Sequence, residues 1–267
     1  MKIFLNEEYL NCEPCTISEI IKKYTIDCDL KIANGFVVSD DYKIKENDKI
    51  VLIKKGIMPS LNELEHLMMS RHSPEVFEKL KNGKVGIIGL GGLGSNIAIS
   101  LVRMGVGQLK LLDYDVVEPS NLNRQQYYFK QIGKLKTEAM KEILENINPF
   151  TKIKIINEYL EKGRIQDIFS DVNILIEAVD NPETKAMIVN EGLSTMKNIK
   201  IISSSGMAGY YSSNSIITKK INSRFYVCGD LENEAKLGCG LMAPRVSICA
   251  NHQANMAVRL LLGIDEV

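Results

Sequence analysis

The chain has 267 residues, 45% hydrophobic and 25% charged, and its 33 basic side chains balance 33 acidic ones. That length exceeds one typical domain, and zero net charge argues against a nucleic-acid or acidic membrane surface as the main partner. With no secretory signal and no apolar run of membrane-spanning length, a cytoplasmic chain is expected, its six cysteines free thiols rather than disulfides.

Met1 to Leu5 reads as a strand and Tyr9 to Cys12 as its hairpin partner, and Thr16-Ile17-Ser18-Glu19 reads as a capping box opening a helix to about Tyr24. Ile32 to Val38, with Asn34-Gly35 inside it, and Lys49 to Ile53 read as two further strands. Cys12 and Cys15 have redox or metal spacing, but there is no second pair to complete a site. The ββαββ order and the DDYKIKENDKI segment resemble a ThiS-like β-grasp domain, the small ubiquitin-like α+β fold of sulfur-carrier proteins. Such a carrier ends in a free Gly-Gly tail. Here the last strand runs on through Lys54-Lys55-Gly56-Ile57-Met58-Pro59, and an internal peptide bond cannot be adenylated. Residues 1–57 are therefore expected to be a fused, non-substrate relic or regulatory module. Residues 58–72 are expected to form a linker helix and arm, with Leu61 to Met69 helical behind Ser60 as N-cap and Arg71 in the arm.

Residues 73–267 read as one domain. Val85, Ile87 and Ile88 form a buried strand leading into Gly89, Gly91, Gly92 and Gly94, where the backbone can pass close to phosphate before a helix opens at about Gly92. Gly105 and Gly107 end that helix, and Gln108 to Asp113 forms the next strand. Taken alone, this loop suits NAD as readily as ATP, and Asp113 would bind the ribose of either. The segment Ser120-Asn121-Leu122-Asn123-Arg124-Gln125 favours a triphosphate, because the planar donors of Arg124 and the amides of Asn121 and Asn123 suit phosphate oxygens. Lys136 follows at a helix start after Gly133. Helix Leu135 to Ile147, strands at Ile153 to Ile156, Ile174 to Ala178 and Ile201 to Ser204, and helix Lys185 to Met196 complete the pattern. Asp180-Asn181 stands at a strand's carboxyl end, where a carboxylate can hold magnesium against phosphates.

Ordinary readings stand beside these. Arg71 reads equally as a solvated charge, Lys136 has Lys134 as a register rival, Asp180 suits a helix N-cap, and Asn123 suits a turn. Asp115 and Glu118 read as surface residues or loop ties, and His252 as a structural hydrogen-bonder.

In order along the chain, Arg71, GLGGLGSN at 89–96, Asp113, SNLNRQ at 120–125, Gly133-x-x-Lys136, Asp180-Asn181 and a closing APRVSICANHQAN helix resemble the ThiF/MoeB family, activating enzymes for sulfur-carrier proteins related to ubiquitin-activating enzymes. The resemblance covers about Ser70 to Gly263 and implies a Rossmann-like, doubly wound α/β ATP-binding domain. It implies that ATP and magnesium serve adenylation of the C-terminal glycine carboxylate of a small β-grasp carrier. Arg124, Lys136 and Asn121 would act on the triphosphate, with Asn123 and Asn181 beside the nucleotide, Asp113 on the ribose and Asp180 on the metal. Arg71 would reach a neighbouring subunit's ATP, which implies a homodimer.

Relatives often hold zinc on two Cys-x-x-Cys pairs; this chain has none in residues 73–267, so no zinc is expected. Cys239, between two glycines near the relatives' crossover loop, is a candidate sulfur-relay thiol, although its spacing to Pro244 departs from their pattern, and Cys249 reads as core. Ser203-Ser204-Ser205-Gly206-Met207, SNSIITKK and RFYVCGD are expected to shape the groove for the carrier's tail. The fused domain points to the thiazole branch of thiamine synthesis. A carrier of molybdopterin or cysteine synthesis, and a non-catalytic nucleotide-binding assembly module, are the alternatives.

Overall fold

The computed structural model describes every residue except Glu7, Arg71, Ser73 and Pro74, with Leu61 and Asn62 described by their backbone alone. The chain divides into two compact units, Met1–Glu78 and Lys79–Val267.

In the first unit β1 (Lys2–Leu5) turns back antiparallel into β2 (Glu8–Asn11). The helix α1 (Ile17–Tyr24) opens on a reciprocal cap, in which the Thr16 hydroxyl accepts from the Glu19 N–H and the Glu19 carboxylate accepts from the Thr16 N–H. Its Ile17 and Ile20 pack with Ile3, Ile44, Ile50 and Leu52 in the core of the unit. Ile32 to Val38 is not one strand. Asn34 (φ 51°) and Gly35 (φ 89°) form a two-residue hairpin turn between β3 (Leu30–Ala33) and β4 (Phe36–Val37), because that turn demands positive φ at both positions and Asn-Gly supplies it. With β5 (Lys49–Ile53) the sheet runs β2-β1-β5-β3-β4, parallel only between β1 and β5. The acidic segment before β5 is organised by buried Asp48, which accepts from Asn34 Nδ2 (2.8 Å), the Tyr42 hydroxyl (3.0 Å) and the Lys45 N–H (2.8 Å). Beyond β5, Lys54 Nζ meets Asp27 at 2.9 Å and the Lys55 N–H donates to Asp29 at 3.0 Å. The helix α2 (Leu61–Met69), capped by Ser60 with Glu63, falls in this unit.

The short helix α3 (Val76–Lys81), unforeseen in the sequence, crosses from one unit to the next. The second unit then alternates β6 (Lys84–Ile88), α4 (Gly92–Arg103), β7 (Gln108–Leu112), α5 (Lys136–Ile147), β8 (Lys152–Ile156), α6 (Ile165–Phe169), β9 (Ile174–Glu177), α7 (Pro182–Thr195) and β10 (Lys200–Ser204), and ends with β11 (Ile217–Lys220), β12 (Phe225–Gly229) and α8 (Ala243–Leu261). SNSIITKK and RFYVCGD therefore contribute sheet strands as well as loops. The helix read from Lys185 starts earlier, at Pro182, where the fixed φ of proline suits the first helical position.

The sheet order is β11-β12-β10-β9-β6-β7-β8, and every pair is parallel except β11 with β12. From β6 the chain winds outward to β7 and β8, then returns to β9 on the other side of β6. That reversal opens a crevice at the carboxyl ends of β6 and β9, the place where open α/β sheets bind ligands. Helices α6 and α7 cover one face of the sheet, where Phe169, Leu175, Ile188 and Ile201 pack together. No helix among the described residues is long and apolar enough to cross a membrane.

Candidate active site

The glycines of the loop do different jobs. Gly89 has φ 90°, and a Cβ there would lie 2.7 Å from the Ala178 carbonyl oxygen, so this position lets the β6 and β9 ends close together. A Cβ on Gly94 would overlap the Gly89 carbonyl, so this glycine seats the first turn of α4 on the loop. Gly92 faces Val246 and the stem of Arg124, whereas a Cβ at Gly91 would meet nothing nearer than Gln125 Nε2 at 3.8 Å. The open space is therefore at Gly91, the N-cap of α4, and no side chain caps that helix. Its first-turn N–H groups and the positive end of its dipole are left for an anion. Buried Tyr127, unremarked in the sequence, donates its hydroxyl to the Leu90 carbonyl at 2.8 Å and steadies the loop; burial raises its pKa well above the usual phenol value.

Asp113, buried just past β7, accepts from the Leu90 N–H (2.6 Å) and the Asp115 N–H (2.8 Å), so it ties the glycine loop to the neighbouring strand end. Lys136 opens α5 and is buried, with Nζ 2.8 Å from Asp115. Lys134, the rival in register, pairs with Glu142 on an exposed surface. Asp115, read only as a surface or tying residue, is thus the partner that aims Lys136 at the β7 end; its place two residues after Asp113 was the available signal.

The segment 120–125 is laced to α4. Asn96 Nδ2 donates to the Gly92 and Arg124 carbonyls, at 2.7 and 3.4 Å, and its Oδ1 accepts from Gln126 Nε2 at 2.7 Å. Arg124 Nη1 donates to the Ser120 carbonyl and to Asn123 Oδ1, so Asn123 orients the guanidinium. Asn121 is buried, and its side-chain Oδ1 accepts from the Glu118 N–H. Arg124 Nε and Gln125 Oε1 are buried without a hydrogen-bond partner among the described residues. Buried polar atoms are rarely left so, and here both lie beside the glycine loop.

At the end of β9 Asp180 is exposed, and its carboxylate makes no hydrogen bond or ion pair among the described residues. The N-cap of α7 is Asn181, whose Oδ1 accepts from the Thr184 N–H at 2.9 Å, so that oxygen is committed to the helix. Beneath them is a cluster the sequence reading missed. Glu177 is fully buried and accepts from Lys185 Nζ at 2.6 and 2.8 Å, the Ser203 hydroxyl at 2.5 Å and the Val179 N–H at 2.8 Å. Gln253 Nε2 of α8 reaches the Glu177 carbonyl at 3.2 Å.

Arg71 lies outside the described residues. His252 shares a 3.0 Å hydrogen bond with the Thr218 hydroxyl. Cys249 and Cys228 are buried, their thiols pushed up by burial to about 12 and about 11, whereas Cys239 is half-buried in a loop against Gly209.

Three groups thus converge on the switch-point crevice: an uncapped helix N-terminus, cations at Lys136 and Arg124, and an open carboxylate at Asp180. This donor set fits a nucleoside triphosphate, and one open carboxylate suits magnesium, which takes its other ligands from phosphates and water.

Residues 1–56 match the ThiS-like ubiquitin family, and residues 64–267 match the ThiF family. A molybdopterin-synthase adenylyltransferase of Salmonella typhimurium is 33% identical over 191 residues, covering 69% of this chain and 75% of that protein. The adenylyltransferase and sulfurtransferase uba4 of Aspergillus niger is 41% identical over 111 residues, covering 41% of this chain and only 23% of that longer protein. Among solved structures, E. coli tRNA N6-threonylcarbamoyladenosine dehydratase, TcdA, in complex with ATP superposes with a TM-score of 0.68 at 19% identity, over 78% of this chain and 98% of that one, which shows a shared fold. E. coli MccB with ATP gives 0.55 at 25% identity, over 76% of this chain and 62% of that one. The ordered site motifs, the doubly wound fold and the match over residues 64–267 together make this chain a member of the ThiF family.

Proposed function

We propose that this chain is an ATP-dependent adenylyltransferase acting on the C-terminal glycine carboxylate of a small β-grasp sulfur-carrier protein ending in Gly-Gly. The observation that carries the reading is the convergence at one crevice of the uncapped α4 N-terminus, buried Lys136, Arg124 with its unpartnered Nε, and the open Asp180. In the reaction a carboxylate oxygen attacks the α-phosphorus, the bond to the bridging oxygen breaks, and pyrophosphate leaves with that electron pair. The carboxylate is already ionised at neutral pH, so no general base is needed. The work lies in alignment and in stabilising charge on the phosphates.

The first-turn N–H groups of α4 would bind phosphate oxygens, Lys136 would exchange Asp115 for a phosphate, and Arg124 would hold the triphosphate with Asn121 and Asn123 beside it. Asp113 would keep its role as loop tie while turning a remaining lone pair to the ribose. Magnesium, held by Asp180 with phosphate oxygens, would supply charge neutralisation of the leaving pyrophosphate. Arg71 of a second copy is proposed to reach the terminal phosphates, making the working unit a cytoplasmic homodimer.

The match of residues 1–56 to the ThiS-like ubiquitin family favours a carrier of thiamine thiazole synthesis. The identity to the Salmonella protein favours a molybdopterin-type carrier as the second reading. ATP–pyrophosphate exchange with each carrier decides between them. Carrier-dependent exchange that falls about 100- to 1,000-fold in Arg124→Ala supports adenylation; exchange indifferent to Arg124, or absent with every carrier, removes it.

A further inference from the structure

Arg245 lies in the first turn of α8, behind Pro244, and is only 3% exposed. A guanidinium so deeply buried needs partners for its donors. Nε donates to the Ala208 carbonyl (3.2 Å), and Nη1 donates to the Tyr211 carbonyl (3.1 Å), the Ser212 carbonyl (2.6 Å) and the Ser215 hydroxyl (3.2 Å). Nη2 donates to the carboxylate of Asp230, whose side chain is equally buried. Asp230 also accepts from the Glu232 N–H (3.0 Å), the Asn233 N–H (2.8 Å) and Asn233 Nδ2 (2.6 Å). Burial works to raise its pKa, but these hydrogen bonds and the guanidinium outweigh burial and hold it below the usual value.

One side chain therefore gathers three carbonyls of the loop after β10 and the carboxylate that follows β12. The two loops are also joined directly: Asp230 N–H to Gly206 O (2.9 Å), Leu231 N–H to Ser205 O (3.0 Å), Ala208 N–H to Asn233 O (3.0 Å) and Gly209 N–H to Gly240 O (2.8 Å). Gly206 and Gly209 have φ of 76° and 74°; a Cβ on the first would overlap the Asp230 carboxylate, and on the second would lie 3.0 Å from Cys239 Sγ. Both loops leave the carboxyl edge of the sheet, the edge that carries the glycine loop and Asp180.

A buried ion pair contributes little net stability compared with an apolar pair of similar volume. What it provides here is one conformation for a segment of serines and glycines that would otherwise have many. A glycine tail presents no side chains, so a preformed backbone-walled passage too narrow for anything larger selects it by excluding bulkier tails. We propose that the Arg245–Asp230 pair is a positioning device that preforms the loops 205–215 and 230–242 into the passage for the carrier's glycine tail. The proposal rests on the adenylation reading.

The test measures exchange with the full chain and a Gly-Gly carrier, varying carrier and ATP separately, for wild type, Arg245→Lys and Asp230→Asn. The KM for carrier is expected to rise about tenfold, with the KM for ATP within about twofold. Discrimination between a Gly-Gly tail and one with Ala as the penultimate residue is expected to fall, and tryptic cleavage after Lys236 to accelerate. If cleavage accelerates while carrier KM and discrimination stay at wild-type values, or if both KM values rise together, the proposal is overturned. Should Arg245→Lys fail to fold, Asp230→Asn, which keeps the shape and an oxygen acceptor, decides alone. A wild type that binds ATP but is inert with every Gly-Gly carrier defeats the adenylation reading itself; an active wild type with unchanged variants defeats only the clamp.

Discussion

Replacing Lys185 with Met would strand Glu177, which is fully buried and whose two bonds from a cationic donor both come from that one ammonium, at 2.6 and 2.8 Å. Removing one partner of a buried pair costs about 3–5 kcal/mol. The carboxylate would keep the Ser203 hydroxyl and the Val179 N–H, and the Lys185 side chain is 25% exposed, so the lower end applies. We expect a loss of about 3 kcal/mol, which for a unit of this size lowers Tm by about 6–12 °C. The complementary change Glu177→Gln should cost less, about 1 kcal/mol, because the amide keeps an acceptor for Val179 while Lys185 can turn to water. The asymmetry arises because one charge is sealed in and the other is not. In Glu177→Gln/Lys185→Met no charge is stranded, so the double variant should melt above Lys185→Met, a coupling expected only of groups in contact. Thermal unfolding followed by circular dichroism at pH 7.5 reads all three. A Lys185→Met protein melting within about 2 °C of wild type, or a larger drop for Glu177→Gln, would refute the argument.

Further expectations follow from single contacts. The Lys110 hydrogen bond, with Lys154 nearby, outweighs burial and lowers the Asp171 carboxyl from 3.8 to about 2. Its stabilisation is present above the unfolded value and is lost as pH falls through the folded one, so the stability gap between wild type and Asp171→Asn should close between about pH 4 and pH 2 in urea titrations; a gap constant through that window would exclude the mechanism. Alkylation by iodoacetamide at pH 8, followed by peptide mass analysis, should modify Cys239 before Cys228 or Cys249, whose thiols burial holds at about 11 and about 12; early labelling of Cys249 would contradict its place on the buried face of α8. Gly94→Ala, forced onto the Gly89 carbonyl, should cost about 2–3 kcal/mol and abolish nucleotide binding. Gly133→Ala, with open space but φ of 87°, should cost about 1 kcal/mol. Equal Tm values for these two variants would show that the close approach at Gly94 is not what constrains it.

The α/β character, the β-grasp order and most element ends were legible in the chain because they depend on local chemistry. Thr16 and Ser60 cap their helices with Glu19 and Glu63 three residues on, and Pro182 and the glycines punctuate where their backbone preferences dictate. The Asn34-Gly35 turn was legible too, since its signal is local, and reading a strand through it was a misjudgement of turn chemistry rather than a gap in the sequence. Gly89 through Gly94, Asp113, Arg124 and Lys136 stood out because a phosphate site needs those residue types at fixed offsets along one βαβ unit.

What the chain could not disclose is which distant side chains meet. The pairing of Lys136 with Asp115, the support of Leu90 by Tyr127, the sealed Glu177–Lys185–Ser203 cluster and the Arg245–Asp230 clamp each join residues from different elements. A buried charge leaves no local mark in a sequence, since its partner arrives only when strands and helices pack, and desolvation gives the pair its weight only then. The sequence by itself determined the two folds and the nucleotide chemistry; the tertiary structure decided which charges are committed to holding the crevice and which, at Asp180 and Arg124, remain open to a ligand.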